Sequence, residues 1–125
     1  MILDTNALSA FADGDEAVGD VLRRQARACI PVIVLGEFRY GIVQSRHRSA
    51  YEKWLDAQSG SFDVLPVTDE TAVSYAALRV ALRQNGTPIP ANDAWIAALA
   101  LQHRLPVLSR DPHFDAVPHV TRLGW

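Results

Sequence analysis

Short apolar runs punctuate this chain, and between them the pattern is largely helical. The runs are Ile2-Leu3, Ala28-Cys29-Ile30, Phe62 to Val67, Pro106-Val107-Leu108-Ser109 and His119 to Leu123. Strands that alternate with helices are joined by crossovers, and crossovers specify a parallel sheet with helices on both faces. The chain has 125 residues, of which 49% are hydrophobic. That is one domain, long enough to bury roughly two-thirds of its unfolded surface. In open α/β sheets, ligands lie outside the carboxyl ends of the strands. The first run delivers Asp4 to such a position within four residues of the start.

The helical stretches have readable ends. Asp4, Thr5 and Asn6 are all capping residues, so a strand-to-helix turn is expected before Ala7–Ala12, which Asp13-Gly14-Asp15 breaks. A second helix is predicted from Asp15 to about Arg27, with Val18, Val21 and Leu22 inward and Arg23, Arg24 and Arg27 on a solvated face. Arg46 to Ala57 is a polar helix with Tyr51, Trp54 and Leu55 as its apolar stripe. Thr68-Asp69-Glu70 starts a long structural helix that Asn85-Gly86 ends after Gln84. Thr87 to Ala91 is extended, because residues before proline avoid the helical region. Ala94 to Leu101 is then apolar all round, as befits a core helix. The stretch from Pro31 to Val43 is ambiguous. Its β-branched content favours a strand, while its length and leading proline allow a helix.

Composition excludes several classes. No apolar stretch reaches the roughly 18 residues of a membrane span, and a charge at Asp4 leaves no room for a secretory leader there, so no signal peptide is expected. Cys29 is the only cysteine, which rules out an internal disulfide and fits a reducing cytoplasm. A net charge of -2 argues against a protein that coats nucleic acid broadly. There is no phosphate-binding GxxxxGK[ST] loop and no GxSxG elbow. His47, His103, His113 and His119 lack zinc spacing and read as surface or turn residues, and Cys29 reads as a small core residue.

Four acids stand out by context. Asp4 and Asp111 both come just after an apolar run and lie within two residues of a hydroxyl residue, Thr5 and Ser109. Asp93 heads the apolar helix, where the dipole favours an anion. Glu37 sits inside an apolar run, and a carboxylate is rarely buried without a partner. Any one of them alone reads as a cap or a surface charge. Together they fit one crevice at a sheet edge.

These motifs resemble the PIN-domain family, and within it the VapC-like and FitB-like toxins of bacterial toxin–antitoxin pairs. The residues that carry the resemblance are Ile2 to Asn6, Val34 to Gly41, Pro90 to Ala98 and Leu108 to Phe114, in matching order and spacing over essentially the whole chain. The resemblance implies a single PIN domain over residues 1–125. Its fold is a three-layer α/β/α sandwich with a mostly parallel sheet of roughly four to five strands. It resolves residues 32–44 as helix. It implies a metal-dependent endoribonuclease with Asp4, Glu37, Asp93 and Asp111 as the acidic set. Thr5, Asn6, Asn92 and Ser109 are implied as supporting polar residues, Asn92 being closest to the FitB-like branch. Asp111 is preferred to Asp115 because it follows the strand directly. Also implied are a VapB-like antitoxin as partner, a homodimer, a larger assembly with the antitoxin, and DNA contact only through the antitoxin. Leu8, Phe11, Phe38, Tyr40 and Ile42 serve either the core or an antitoxin groove, and core is the expectation.

The chemistry agrees with the residue types. Converging carboxylates repel, and a hard divalent cation relieves that repulsion. Mg²⁺ or Mn²⁺ takes oxygen ligands, and Mg²⁺ needs only one or two direct carboxylates per ion. Asp4, Glu37 and Asp93 are expected to hold the principal ion, with Asp4 and Asp93 the leading candidates for direct ligands. Asp111 is expected to help through water or a second ion. The expected substrate is RNA, in single-stranded loops, since duplex RNA is poorly read by sequence. The competing class is a PIN-like interaction subunit that binds partners without catalysis. A small-molecule phosphatase is the third reading, but the DxD start of one such family is absent.

Overall fold

The computed structural model describes residues 1–125. Five short strands form one sheet: β1 (Ile2–Leu3), β2 (Cys29–Pro31), β3 (Asp63–Leu65), β4 (Val107–Leu108) and β5 (Arg122–Leu123). Their order is β3-β2-β1-β4-β5, and every pairing is parallel. The helices are α1 (Thr5–Ala12), α2 (Glu16–Arg23), α3 (Val32–Val43), α4 (Arg48–Ala57), α5 (Asp69–Gln84) and α6 (Ala91–His103). A 3₁₀ helix, Pro112–Ala116, joins β4 to β5. Right-handed crossovers put α1 to α4 on one face of the sheet and α5, α6 and the 3₁₀ helix on the other. The expected sandwich is present, with a wholly parallel sheet.

The strands are short, and the central ones are buried completely. Ile2, Leu3, Val107 and Leu108 have no exposed surface, which is what a parallel sheet covered on both faces demands. The ambiguous stretch after β2 is helical for a packing reason. Val34, Phe38 and Ile42 recur every fourth residue and are all buried on one stripe. Pro31 closes β2 and caps α3 from outside rather than occupying its first turn. Pro90 does the same for α6, whose Ala94 and Ile96 to Ala100 are buried as expected of an apolar helix. Of the residues divided between core and groove, Leu8, Phe38 and Ile42 are buried, Phe11 packs partly against them, and Tyr40 is 72% exposed.

Some elements are shorter than their sequence patterns. The second helix stops at Arg23, not Arg27, because Arg24 and Gln25 close a 3₁₀-like turn onto Val21 and Leu22 and no large apolar side chain follows to bury until Cys29. Likewise β5 covers only Arg122–Leu123, since His119 takes a left-handed turn (φ 66°) that ends any strand before it. Arg104 ends α6 in the same left-handed region, at φ 54°. Its amide and that of Leu105 bond back to Leu101 and Ala100, the two-bond pattern that glycine usually closes. A side chain in that conformation costs about 1–2 kcal/mol, part of which glycine returns as unfolded-chain entropy. Arg104→Gly is therefore expected to raise unfolding stability in urea by about 0.5–1 kcal/mol. A loss of stability would contradict this account of the cap.

Candidate active site

The sheet order places a crevice before any side chain is considered. From β1 the chain steps outward through β2 to β3, then returns past β1 to start β4 on the other side. The strand order therefore reverses between β1 and β4, and ligands bind above such a point at the strands' carboxyl ends. Leu3 pairs with Leu108, and the Asp4 amide donates to the Leu108 carbonyl at 3.1 Å. The next side chains on the two strands, Asp4 and Ser109, thus meet by register.

Asp4 is 4% exposed and also caps α1. One carboxylate oxygen accepts the Thr5 amide at 2.8 Å, and the other accepts the Ser109 hydroxyl at 2.6 Å and the Asn6 side-chain amide at 3.2 Å. Asn6 also donates to Ser109 Oγ at 3.1 Å and accepts the Arg110 amide at 3.2 Å. Ser109 Oγ in turn accepts the Asp111 amide at 2.9 Å. The Thr5 hydroxyl donates to Glu37 at 3.1 Å, which ties α3 to this network. Glu37 is half-buried, and an open cleft of about 330 Å³ lies beside it, bordered by Gly41. Four of the expected residues (Asp4, Thr5, Asn6 and Ser109) thus form one hydrogen-bonded group, with Glu37 and Asp111 attached to it.

Asp93, in the first turn of α6, comes in from the far side. Its carboxylate meets His113 Nδ1 at 2.8 Å, and the same nitrogen lies 3.0 Å from Asp111. Ligand atoms of Asp93, Asp111 and His113 all fall within 4.8 Å of one another. His113 does sit on a turn, as the sequence indicated, but its ring is held by two of the acids. That arrangement was invisible in the sequence, because it needs the 3₁₀ helix to fold back on α6. Asn92, by contrast, is exposed and makes no hydrogen bond to the group.

The electrostatics follow from burial. Desolvation pushes the Asp4 carboxyl above its usual range, and the charges of Asp93 and Glu37 push the same way against the hydrogen bonds from Ser109 and Thr5. An acid raised in the folded state loses stability as pH rises from its ordinary value through the raised one, which leaves a deficit at neutral pH. His113 is raised too, chiefly by its bond to Asp93. Its contribution is complete below about pH 6.5 and fades as pH rises through the folded value. The site is shallow and open. Two larger cavities, each about 550 Å³, lie elsewhere, one beside Arg23 and Arg27 and the other between Arg104 and His119. An open acidic crevice suits a polymer better than an enclosed small molecule.

Asp115 is committed elsewhere. Arg122 grips it with two hydrogen bonds of 2.9 Å and donates a third to the Ser109 carbonyl at 3.2 Å. The guanidinium holds the Asp115 carboxyl below the usual range. Arg122 thereby pins both ends of the segment that bears Ser109, Asp111 and His113, a role without any sequence signal. An acid lowered in this way adds stability above its ordinary pKa and loses it as pH falls through the folded value. In Arg122→Leu, Asp115 should titrate in the ordinary carboxylate range by carboxyl-carbon NMR, and acid unfolding should begin at higher pH. An unchanged Asp115 titration would contradict the pairing.

The sequence matches the PIN domain family over residues 1–120. It is 31% identical over 118 residues to ribonuclease VapC5 of Mycobacterium tuberculosis, covering 93% of this chain and 86% of that protein. The fold is similar to VapBC-5, a member of the VapBC family of toxin–antitoxin systems from the same organism, with a TM-score of 0.77, 31% identity and coverage of 99% and 97%. It is also similar to FitAcB from Neisseria gonorrhoeae, with a TM-score of 0.84, 27% identity and coverage of 98% and 95%. This chain belongs to the PIN domain family.

Proposed function

We propose that this chain is the toxin of a toxin–antitoxin pair and acts as a metal-dependent endoribonuclease. The observation that carries the reading is that Asp93 and Asp111 converge around His113 beside Asp4, which is tied to Asp111 through Ser109, feels the charges of Asp93 and Glu37, and is joined to Glu37 through Thr5. The ribonuclease name of a relative at 31% identity supports it.

The donor set fits a hard divalent cation. It is made of carboxylate oxygens, it is partly desolvated, and its charges push Asp4 toward protonation, a penalty that a cation removes. Asp4, Glu37 and Asp93 would hold the principal Mg²⁺ or Mn²⁺, and Asp111 would act through water or a second ion. When bound, such an ion supplies a water of lowered pKa and Lewis acidity toward a phosphodiester. The chain's own contribution is orientation. Ser109 and Asn6 fix one face of the Asp4 carboxylate, and the Thr5 amide fixes the other. The Thr5 hydroxyl holds Glu37. Arg122 holds the segment from which Asp111 and His113 project. His113 would either join the ion as a third ligand beside Asp93 and Asp111 or give up its bonds to them.

The partners follow the same reading. A VapB-like antitoxin would cover the toxin and hold it inactive, RNA would be the substrate, and DNA would be reached only through the antitoxin. A homodimer that enlarges with antitoxin is the proposed assembly, and a relative solved as a member of a toxin–antitoxin family supports the antitoxin partner. Tyr40, exposed on α3, is available for such contacts. No helix is long and apolar enough to cross a membrane. The buried thiol of Cys29 suits the proposed cytoplasmic location.

Purified, antitoxin-free protein should cut a labelled structured RNA with Mg²⁺ or Mn²⁺ and stop with chelator. Asp4→Asn and Asp93→Asn should abolish cutting while folding normally, and Ser109→Ala should slow it by about 10–100-fold because it removes the hydroxyl that orients Asp4. Full activity in both aspartate variants would sink the assignment, and folded protein inert with every metal would favour a non-catalytic subunit. A readout independent of cleavage is the His113 ring, whose NMR signals should shift on Mg²⁺ addition. Ring signals unmoved at saturating Mg²⁺ would contradict ion binding at Asp93 and Asp111.

A further inference from the structure

The crevice has a mismatch with its proposed substrate. Asp4, Glu37, Asp93 and Asp111 are all acids, and RNA is a polyanion. A cation bound among them offsets charge at the scissile phosphate, but the flanking phosphates still approach a negative surface. A nuclease of this kind needs a cation of its own beside the crevice. Most arginines with a contact in this fold are spent away from it. Arg23, Arg27 and Arg48 each bond an acid on the surface, and Arg122 is held by Asp115 and Ser109.

Arg110 is placed differently. It stands between Ser109 and Asp111, two residues of the acidic site, and its amide is bonded to Asn6 at 3.2 Å. Its backbone is therefore fixed by the site itself. Its guanidinium lies over the Trp125 ring, 4.4 Å from the centroid, and approaches Asp15 only to 3.7 Å. The side chain is 60% exposed, and its guanidinium makes no hydrogen bond. Stacking on an indole orients an arginine while leaving its N–H edge free. A planar, pre-oriented donor edge of this sort matches the two oxygens of a phosphate.

We infer that Arg110, oriented by Trp125, is the substrate-positioning residue that grips an RNA backbone phosphate flanking the cleaved bond. The inference rests on the ribonuclease reading and extends it to how the strand is held. Arg110 contacts phosphate and not base, so it contributes affinity without sequence preference.

The test is fluorescence anisotropy of a labelled single-stranded RNA with cleavage-silent Asp4→Asn protein, carrying either Arg110, Arg110→Ala or Arg110→Lys, across a KCl series. Arg110→Ala retains the backbone amide that bonds Asn6, so it removes only the guanidinium, and its melting curve is the check on folding. Loss of one phosphate contact should weaken binding about tenfold at low salt and lower the salt slope by about 0.7. Arg110→Lys should recover the slope but not the whole affinity, since a point charge replaces a fork. In the cleavage-competent protein, Arg110→Ala should raise KM with kcat nearly unchanged. Affinity and slope equal to those of the parent would overturn the inference. Arg110-dependent RNA binding by protein that never cuts would refute the nuclease reading and overturn the substrate-positioning role with it, leaving Arg110 only as an RNA-backbone contact.

Discussion

The hydrogen bond from Ser109 to Asp4 joins the two strands on which the site depends. These residues are separated by 105 positions in sequence and are brought together by the register of β1 on β4. A slip of one residue in that register would turn every side chain on the strand to the opposite face. The buried Ile2, Leu3, Val107 and Leu108 make such a slip costly, because each would have to change layers. The apolar core thus fixes the polar geometry one residue beyond it. Asn6 and the Asp111 amide then build on the same Ser109 oxygen, so one hydroxyl organises both halves of the crevice.

The site works against the stability of the fold that carries it. Burial and like charge leave Asp4 unfavourably ionised at neutral pH, and Glu37 takes a half-buried place on a helix whose other face is core. The surrounding structure offsets this with neutral donors rather than buried cations: the Thr5 amide, the Ser109 and Thr5 hydroxyls and the Asn6 amide. Neutral donors orient a carboxylate without neutralising its charge, which is what the proposed divalent-ion site requires. The guanidinium of Arg122 is directed to Asp115 and a backbone carbonyl instead.

What was legible in the sequence was whatever arises locally. Asp4 and Asp111 could be read because each follows a short apolar strand, and the strand–helix alternation alone specified a parallel sheet. Asp93 was readable as the head of an apolar helix. The Pro31 to Val43 stretch was not decided by its residues. Its β-branched content obscured the Val34, Phe38 and Ile42 stripe, which declares itself only once there is a core to bury it. His113 and Arg122 carried no sequence signal, since their partners are acids at spacings that no metal motif or helix periodicity predicts. Asn92 belongs to the expected set through the family resemblance alone, and in the fold it faces solvent beside Asp93.

The central claim is that these carboxylates form one divalent-ion site at the strand-order reversal. Anomalous X-ray diffraction from crystals of the antitoxin-free protein soaked in Mn²⁺ tests it most directly. The account predicts a peak bounded by Asp4, Glu37 and Asp93, with Asp111 within reach through water or a second ion, and its disappearance in Asp4→Asn. A peak elsewhere on the surface, or an equal peak in the variant, would contradict it.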